Sequence, residues 1–309
     1  GMWDGPGAKW ARRYEGLDGR LGTPELSDGK LLTSGPHFRE YRQKARWQNS
    51  ELLIHYRQWR HRPGIEIAVR VNWQEKNQIL RLEVPTALTD AVSTIPGPGG
   101  PAVRPTDTGE QPGGEWVAMT GQFRGRDHTC MVVSDGGLSY ATVGGTLQVI
   151  LTRSAYYAHH RPNSPQDPAA NPHLDQGWQE ARFWLHAGPG TPAQLGAHRF
   201  AAEALHPAEY VQDSAHPGTL PRSASLLQVS SPHVQLLATK LNEDGTAWIV
   251  RLQETRGRRT RCTLKSAWGR LAPREWTVTL DAHAIATFRL PRRGKTAAVA
   301  LDLLERPLS

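Results

Sequence analysis

Four residues near the middle of the chain have side chains that could bind a metal ion. His159 and His160 are adjacent, and His173 and Asp175 follow shortly after them. Imidazole nitrogens and carboxylate oxygens are common Zn²⁺ ligands, so this set is the leading metal-site candidate. The stretch is rich in proline, however, and a chain with 13 histidines will contain some close pairs by chance. The sequence favours a loop without a metal, and we expect no cofactor in this chain.

Tryptophan is the second chemical feature, because the chain has 11 tryptophans in 309 residues. Sugar-binding clefts combine aromatic faces with a few well-placed polar groups. We therefore take Trp178, which follows the histidine-rich stretch, as a candidate platform for a sugar ring. Trp73, Trp116, Trp248 and Trp276 lie in strand-like segments, and we assign them to packing in the core.

Other catalytic patterns are missing from the sequence. It contains no Gly-x-Ser-x-Gly motif and no closely spaced pair of cysteines. Cys130 and Cys262 are far apart, which predicts free thiols in a reducing compartment. No charged-then-apolar secretory signal is recognisable, so we expect a cytoplasmic protein.

The net charge of +8 comes from arginines scattered along the chain. The densest cluster comprises Arg256, Arg258, Arg259 and Arg261 around Gly257, and its pattern predicts the tip of a hairpin. No nucleic-acid motif accompanies these charges, which argues against nucleic acid as a partner. No apolar run is long enough to predict a membrane span.

The elements that would position these residues are strands. Apolar residues alternate with polar or small ones over 65–73, 80–84, 147–151 and 248–252, which is the period of a half-buried strand. Pro- and Gly-containing turns separate these runs. Many short strands with regular turns predict an all-β sandwich or barrel.

Specific segments resemble the C-terminal β-rich half of glycoside hydrolase family 38, the α-mannosidases. They occur in the family's order and span most of the chain, and order is what gives weak motifs their weight. The matching segments are IEIAVRVNWQEK (65–76), ILRLEVP (79–85), RP (104–105), GEQP (109–112), EWV (115–117), SDGGLSY (134–140, a hairpin in the family), TLQVILTRS (146–154), DQG (175–177), FWL (183–185), EDG (243–245), VRLQET (250–255) and AIATFRL (284–290).

The resemblance implies a galactose-mutarotase-like supersandwich followed by a small β-sandwich. We predict a poorly patterned segment over 1–34, the supersandwich over 35–215 and the small sandwich over 222–309. The segment 38–47 has good helix propensity, but the family has a strand there, and we predict a strand. Fewer residues precede position 35 than in the family, so an exposed sheet edge and a homo-oligomer are also expected.

The resemblance also bears on activity, because the zinc and catalytic carboxylates of the family belong to its N-terminal half. It implies that this chain alone is not an active mannosidase, and that it completes the cleft of a separate catalytic subunit. Zinc is expected only in that subunit. The residues in matching motifs that could contact an α-mannoside, together with Trp178, are Arg104, Tyr140, Arg153, Asp175 and Gln179, the last standing where the family has a histidine.

Two alternatives remain open at this stage. The same fold without a catalytic partner would be a carbohydrate-binding module for mannosides. An autonomous supersandwich enzyme, an epimerase or a lyase, would need an acid and a base facing each other in a cleft, and no pair in the sequence stands out.

Overall fold

The computed structural model describes residues 20–136, 139–155, 173–219, 221–266, 274–292 and 297–308. Strands account for most of this part, which confirms the all-β prediction. In chain order they are β1 (Glu25–Leu26), β2 (Lys30–Ser34), β3 (Phe38–Trp47), β4 (Ser50–Trp59), β5 (Ile65–Trp73), β6 (Ile79–Pro85), β7 (Thr89–Ile95), β8 (Ala102–Pro105), β9 (Gln111–Pro112), β10 (Trp116–Phe123), β11 (Arg126–Ser134), β12 (Ser139–Val143), β13 (Thr146–Arg153), β14 (Gly177–Pro189), β15 (Leu227–Val229), β16 (Val234–Leu241), β17 (Ala247–Glu254), β18 (Thr260–Ser266), β19 (Arg274–Leu280), β20 (Ile285–Pro291) and β21 (Val299–Leu301).

The strands β1 to β14 form two sheets. The larger has ten strands in the order β1-β3-β4-β5-β14-β11-β10-β7-β8, with β2 also paired to β3, and the smaller has the order β6-β13-β12-β9. The strand predicted over 38–47 is confirmed as β3. It pairs along its whole length with β4, which overrides the helix propensity of the segment.

One hydrogen bond joins these two sheets through the core. Tyr140, on β12 of the smaller sheet, is 1% exposed, and its hydroxyl lies 3.2 Å from the hydroxyl of Ser93 on β7 of the larger sheet. Trp73, Trp116 and Phe183 are also fully buried. Large aromatic side chains therefore fill the space between strands, as predicted for Trp73 and Trp116.

The strands β15 to β21 form a second pair of sheets, in the orders β15-β18-β19 and β16-β17-β20-β21. Both sheets contribute to one apolar cluster, so this part is a small β-sandwich. Its buried members are Val234, Val250, Leu252, Cys262, Leu264, Trp276, Val278, Leu280, Phe288 and Leu290.

Two turns that the sequence indicated as hairpins instead connect different sheets. The motif over 134–140 leads from β11 in the ten-stranded sheet to β12 in the four-stranded sheet. The turn at Gly257 leads from β17 to β18, which also lie in separate sheets. The hairpin interpretation was wrong because a tight turn fixes a reversal of direction, whereas pairing depends on which sheet receives the next strand.

A helix interrupts the strands in the second half of the chain. It is α1 (Ala197–Leu205), and its buried residues Ala197, Phe200, Ala201 and Ala204 recur at the spacing of one helical face. Arg199 and Glu203 form an i,i+4 ion pair on the exposed side. None of the described residues forms a helix long and apolar enough to cross a membrane.

By contact density the chain divides into two compact units. The first comprises Gly1–Ser93 and Pro105–Gly188, and the second comprises Thr94–Arg104 and Pro189–Ser309. The second unit thus includes α1 and a short segment from the first third of the chain. The division into domains at 35–215 and 222–309 stays a prediction.

Candidate functional site

A row of charged side chains crosses one face of the ten-stranded sheet. Glu40 on β3 stands directly opposite Arg57 on β4, and Arg57 stands directly opposite Glu66 on β5. Directly paired residues of neighbouring strands project from the same face of a sheet. Glu40, Arg57 and Glu66 therefore form a continuous charged row, and Trp184 on β14 stands beside Glu66 at its end.

Arg57 holds the charged row together. Its Nη2 and Nε lie 2.7 and 3.0 Å from Oε2 of Glu40, and its Nη1 lies 3.4 Å from Oε1 of Glu66. The guanidinium also lies 4.8 Å from the centre of the Phe38 ring and 5.6 Å from that of Trp59. Its charge is thus shared between two carboxylates and two aromatic faces.

The remaining carboxylate oxygens of the row also have donors. Trp59 donates its indole N–H to Oε2 of Glu66 at 3.0 Å, and Nδ1 of His55 lies 2.7 Å from Oε1 of Glu40. The side chains of Glu40 and Glu66 are only 12% and 10% exposed. Buried carboxylates of this kind need such partners, because an unpaired buried charge is costly.

The charged row is poorly suited to proton transfer. Burial of Glu40 raises the pKa of its carboxyl, but hydrogen bonds from His55 and Arg57 outweigh burial and hold that pKa below its ordinary value. A glycosidase acid needs the opposite, a carboxyl that keeps its proton near neutral pH. Glu40 is therefore an ionised anchor rather than a proton donor.

The same face becomes solvent-exposed further along β14. Trp178 is 59% exposed, and the Arg70 guanidinium lies 4.4 Å from the centre of its ring. Arg70 also pairs with Glu180 at 3.4 Å, and Asn72 stands directly opposite Trp178. We call Arg70, Asn72, Trp178 and Glu180 the Trp178 patch. It offers an aromatic ring beside charged and amide groups, which is the chemistry of a sugar-contacting surface.

Two family models match this sequence. The model described as "Glycosyl hydrolases family 38 C-terminal domain" matches residues 20–166, and that described as "Glycosyl hydrolases family 38 C-terminal beta sandwich domain" matches residues 233–308. The two matches together cover well over half of the chain. The chain belongs to the C-terminal region of glycosyl hydrolase family 38.

Two solved structures share this fold. An α-mannosidase from Enterococcus faecalis V583 aligns over 87% of this chain with a TM-score of 0.69 and 15% identity. A family 38 glycosyl hydrolase from Enterococcus faecalis aligns over 87% with a TM-score of 0.69 and 16% identity. This chain spans 35% and 36% of those two chains, about a third of their length. No curated protein matches the sequence.

The family 38 motifs do not bring all their candidate residues to one place. Trp178 and Gln179 are consecutive on β14, so their side chains project from opposite faces, and Gln179 stands opposite the buried Val71. Tyr140 is buried in the core, and its hydroxyl is hydrogen-bonded to the hydroxyl of Ser93. Trp178 therefore remains the accessible candidate among these three residues.

Three further candidates lie outside the Trp178 patch. Arg153 is exposed at the end of β13 in the four-stranded sheet. Asp175 is exposed in the turn before β14 and has a φ of 55°. These two residues form no ion pair with each other in the described structure. Arg104 lies on β8 and belongs to the second compact unit.

The predicted metal site lies partly outside the described residues. His159 and His160 fall outside the described residues, whereas His173 and Asp175 fall within them. Among the described residues no three His, Cys, Asp or Glu side chains are grouped so that they could hold a metal ion. The proposed metal site therefore stays a prediction.

Sequence reasoning did not find the charged row. The signal that could have indicated it is a charged residue on each of three successive strands, at Glu40, Arg57 and Glu66. In the sequence pattern alone, each of these residues has the position of an ordinary polar residue on an alternating strand. Their meeting depends on the register of two hairpins, which the sequence pattern leaves undetermined.

Proposed function

We propose that this chain is the non-catalytic β region of an α-mannosidase-like hydrolase, and that it completes the cleft of a separate catalytic subunit. The observation that supports this most directly is that both matching family models describe C-terminal domains of family 38. The catalytic carboxylates, and zinc as cofactor, would come from the partner. The buried thiols of Cys130 and Cys262 are free, which agrees with a cytoplasmic location.

The charged row supports a structural role for this face. Arg57 bonds to both carboxylates of the row, and the pKa of Glu40 is held below its ordinary value. A retaining glycosidase needs one carboxyl as nucleophile and one as acid and base, with different proton affinities. In the charged row one arginine hydrogen-bonds to both carboxylates, which provides no such division of roles.

A second candidate function rests on the Trp178 patch. Its exposed ring, with Asn72 opposite and Arg70 and Glu180 beside it, could hold a mannoside without any catalytic partner. The chain would then be a carbohydrate-binding module. Calorimetry with mannobiose at millimolar concentration distinguishes this candidate, because a module produces binding heat in the absence of another subunit.

The decisive experiment measures hydrolysis of a chromogenic α-mannoside by the purified chain, with and without added Zn²⁺ or Co²⁺. The same assay is repeated after mixing with a family 38 catalytic domain expressed without its own β region. We expect no turnover by the chain alone and a gain in turnover on mixing. A catalytic domain whose activity is unchanged by mixing would contradict the subunit role.

Turnover by the chain alone would overturn the proposal in one of two ways. Metal-dependent turnover would place a site within these residues and bring His159, His160, His173 and Asp175 back as the leading candidates. Metal-independent turnover would favour an autonomous enzyme on the supersandwich.

A further inference from the structure

The turn between β17 and β18 is wound around a buried carboxylate. Glu254 is fully buried, and its Oε2 accepts the backbone N–H groups of Gly257 at 2.8 Å and Arg258 at 3.2 Å. Its Oε1 accepts the backbone N–H of Arg256 at 2.9 Å. A carboxylate that accepts several backbone N–H bonds fixes the path of the chain around it. The side chains of Arg256 and Arg258 are not used in this arrangement and project from a rigid turn.

These two arginines line an open groove in the second unit. The groove has a volume of about 440 Å³. Its other lining residues are Thr191, Ala193, Gln194 and His233, so no carboxylate lines it among the residues that the structure describes.

The arginines of the groove lack acidic ion-pair partners among the described residues, and one of them lies beside a histidine. Nη1 of Arg256 lies 3.5 Å from Nε2 of His233. In the described part of the chain neither Arg256 nor Arg258 forms an ion pair with a carboxylate. The nearby carboxylate of Glu254 is already surrounded by backbone donors. The groove therefore presents two guanidinium groups that form no ion pair with a described carboxylate, on a turn whose backbone is held by Glu254.

We propose that this groove binds a phosphate group, either free or attached to a small sugar. Guanidinium groups form paired hydrogen bonds with phosphate oxygens, and a preformed turn reduces the entropy lost on binding. Thr191 and Gln194, which also line the groove, supply polar groups for hydroxyls of an attached sugar. A groove of this volume accommodates a ligand of that size. This inference does not depend on the function proposed above.

The test is calorimetric titration of the full chain with inorganic phosphate and with glucose 6-phosphate, in a phosphate-free buffer. The variant Arg256→Ala/Arg258→Ala removes both groove arginines. The matched control Arg259→Ala/Arg261→Ala removes the same charge from two neighbouring exposed positions that do not line the groove. We expect Kd to rise about tenfold or more in the first variant and less than about twofold in the control.

The two ligands distinguish the source of the phosphate. Tighter binding of glucose 6-phosphate indicates a sugar phosphate, whereas equal affinity indicates phosphate alone, and either result supports the groove. Equal weakening in both double variants would show non-specific attraction to a basic protein and overturn the proposal. So would the absence of binding heat with both ligands at millimolar concentration. Circular dichroism checks that the variants fold. We expect them to fold, because the turn is held by backbone N–H bonds to Glu254 and not by the arginine side chains.

Discussion

The carboxylate of Glu254 accepts the backbone N–H of His283 at 3.0 Å, although the two residues are 29 positions apart. Glu254 ends β17, and His283 lies in the turn between β19 and β20. The same oxygen also accepts the N–H of Gly257. One buried carboxylate thus joins two turns of the small sandwich, and its loss should affect both.

Replacing Glu254 by Gln should lower the free energy of unfolding of the second unit by about 3 kcal/mol. The amide has only one oxygen acceptor, so its NH₂ group must face backbone N–H donors that the carboxylate had accepted. Chemical denaturation measures the change. The control is Glu275→Gln, which removes a mostly exposed ion pair with Lys265 and should cost about 0.5 kcal/mol or less. Equal effects of the two variants would contradict the role of Glu254.

The contribution of Glu254 should depend on pH. Burial raises the pKa of its carboxyl, but backbone hydrogen bonds from His283, Arg256, Gly257 and Arg258 outweigh burial and lower that pKa from 4.5. A lowered folded-state pKa means that the stabilisation is present above 4.5 and is lost as the pH falls through the folded-state value.

The measurement is denaturation of the wild type and of Glu254→Gln across the acid range. The difference in unfolding free energy should be constant near neutral pH and should shrink below pH 4.5, since protonated Glu254 then resembles Gln. A difference that grows as the pH falls would contradict the sign of the shift.

Gly257 should tolerate no side chain. Its φ is 79°, and an added Cβ would lie 2.6 Å from Nε2 of His283. Gly257→Ala should therefore lower the free energy of unfolding by about 3 kcal/mol, because the backbone is strained and the imidazole of His283 is displaced. Gly245→Ala is the matched control, because Gly245 has a φ of 69° but no atom of the described residues lies within 4 Å of the added Cβ. It should cost about 1 kcal/mol from backbone strain alone. Thermal unfolding of both variants tests whether contact with His283 accounts for the difference.

The strands could largely be predicted from the sequence, because burial on one face imposes a period of two. The run from Ile65 to Trp73 shows this pattern, and it forms β5. The motif resemblance also identified β3 correctly against its helix propensity. The prediction of β5 rests on a local pattern, and that of β3 rests on the order of motifs shared with the family.

The contacts between strands could not be predicted in the same way. The charged row depends on the register that places Glu40, Arg57 and Glu66 side by side. The turn at Gly257 was expected to close a hairpin, whereas β17 and β18 belong to different sheets. Sheet membership is decided by packing between distant segments, and alternation in one strand contains no information about it.

Arg57 should be essential to the stability of the first unit. Arg57→Met keeps most of the side-chain volume but leaves two largely buried carboxylates without their shared cation, which should cost about 4 kcal/mol. Arg70→Met is the control on the same sheet face, because Arg70 and Glu180 are both mostly exposed and their pair contributes less than about 1 kcal/mol. Urea denaturation compares the two variants, and similar losses would mean that the charged row behaves as a surface pair.

Trp178 should affect binding without affecting folding. The residue is 59% exposed, so Trp178→Ala should change the unfolding free energy by about 0.5 kcal/mol or less. If the Trp178 patch contacts a mannoside, loss of the ring should weaken mannobiose binding about tenfold, the equivalent of one aromatic contact. The control Tyr41→Ala removes an exposed aromatic ring from β3 that lies on the opposite face of the sheet. Titration calorimetry of both variants separates the two faces. Unchanged affinity in Trp178→Ala, or an equal loss in both variants, would assign any sugar contact to another surface.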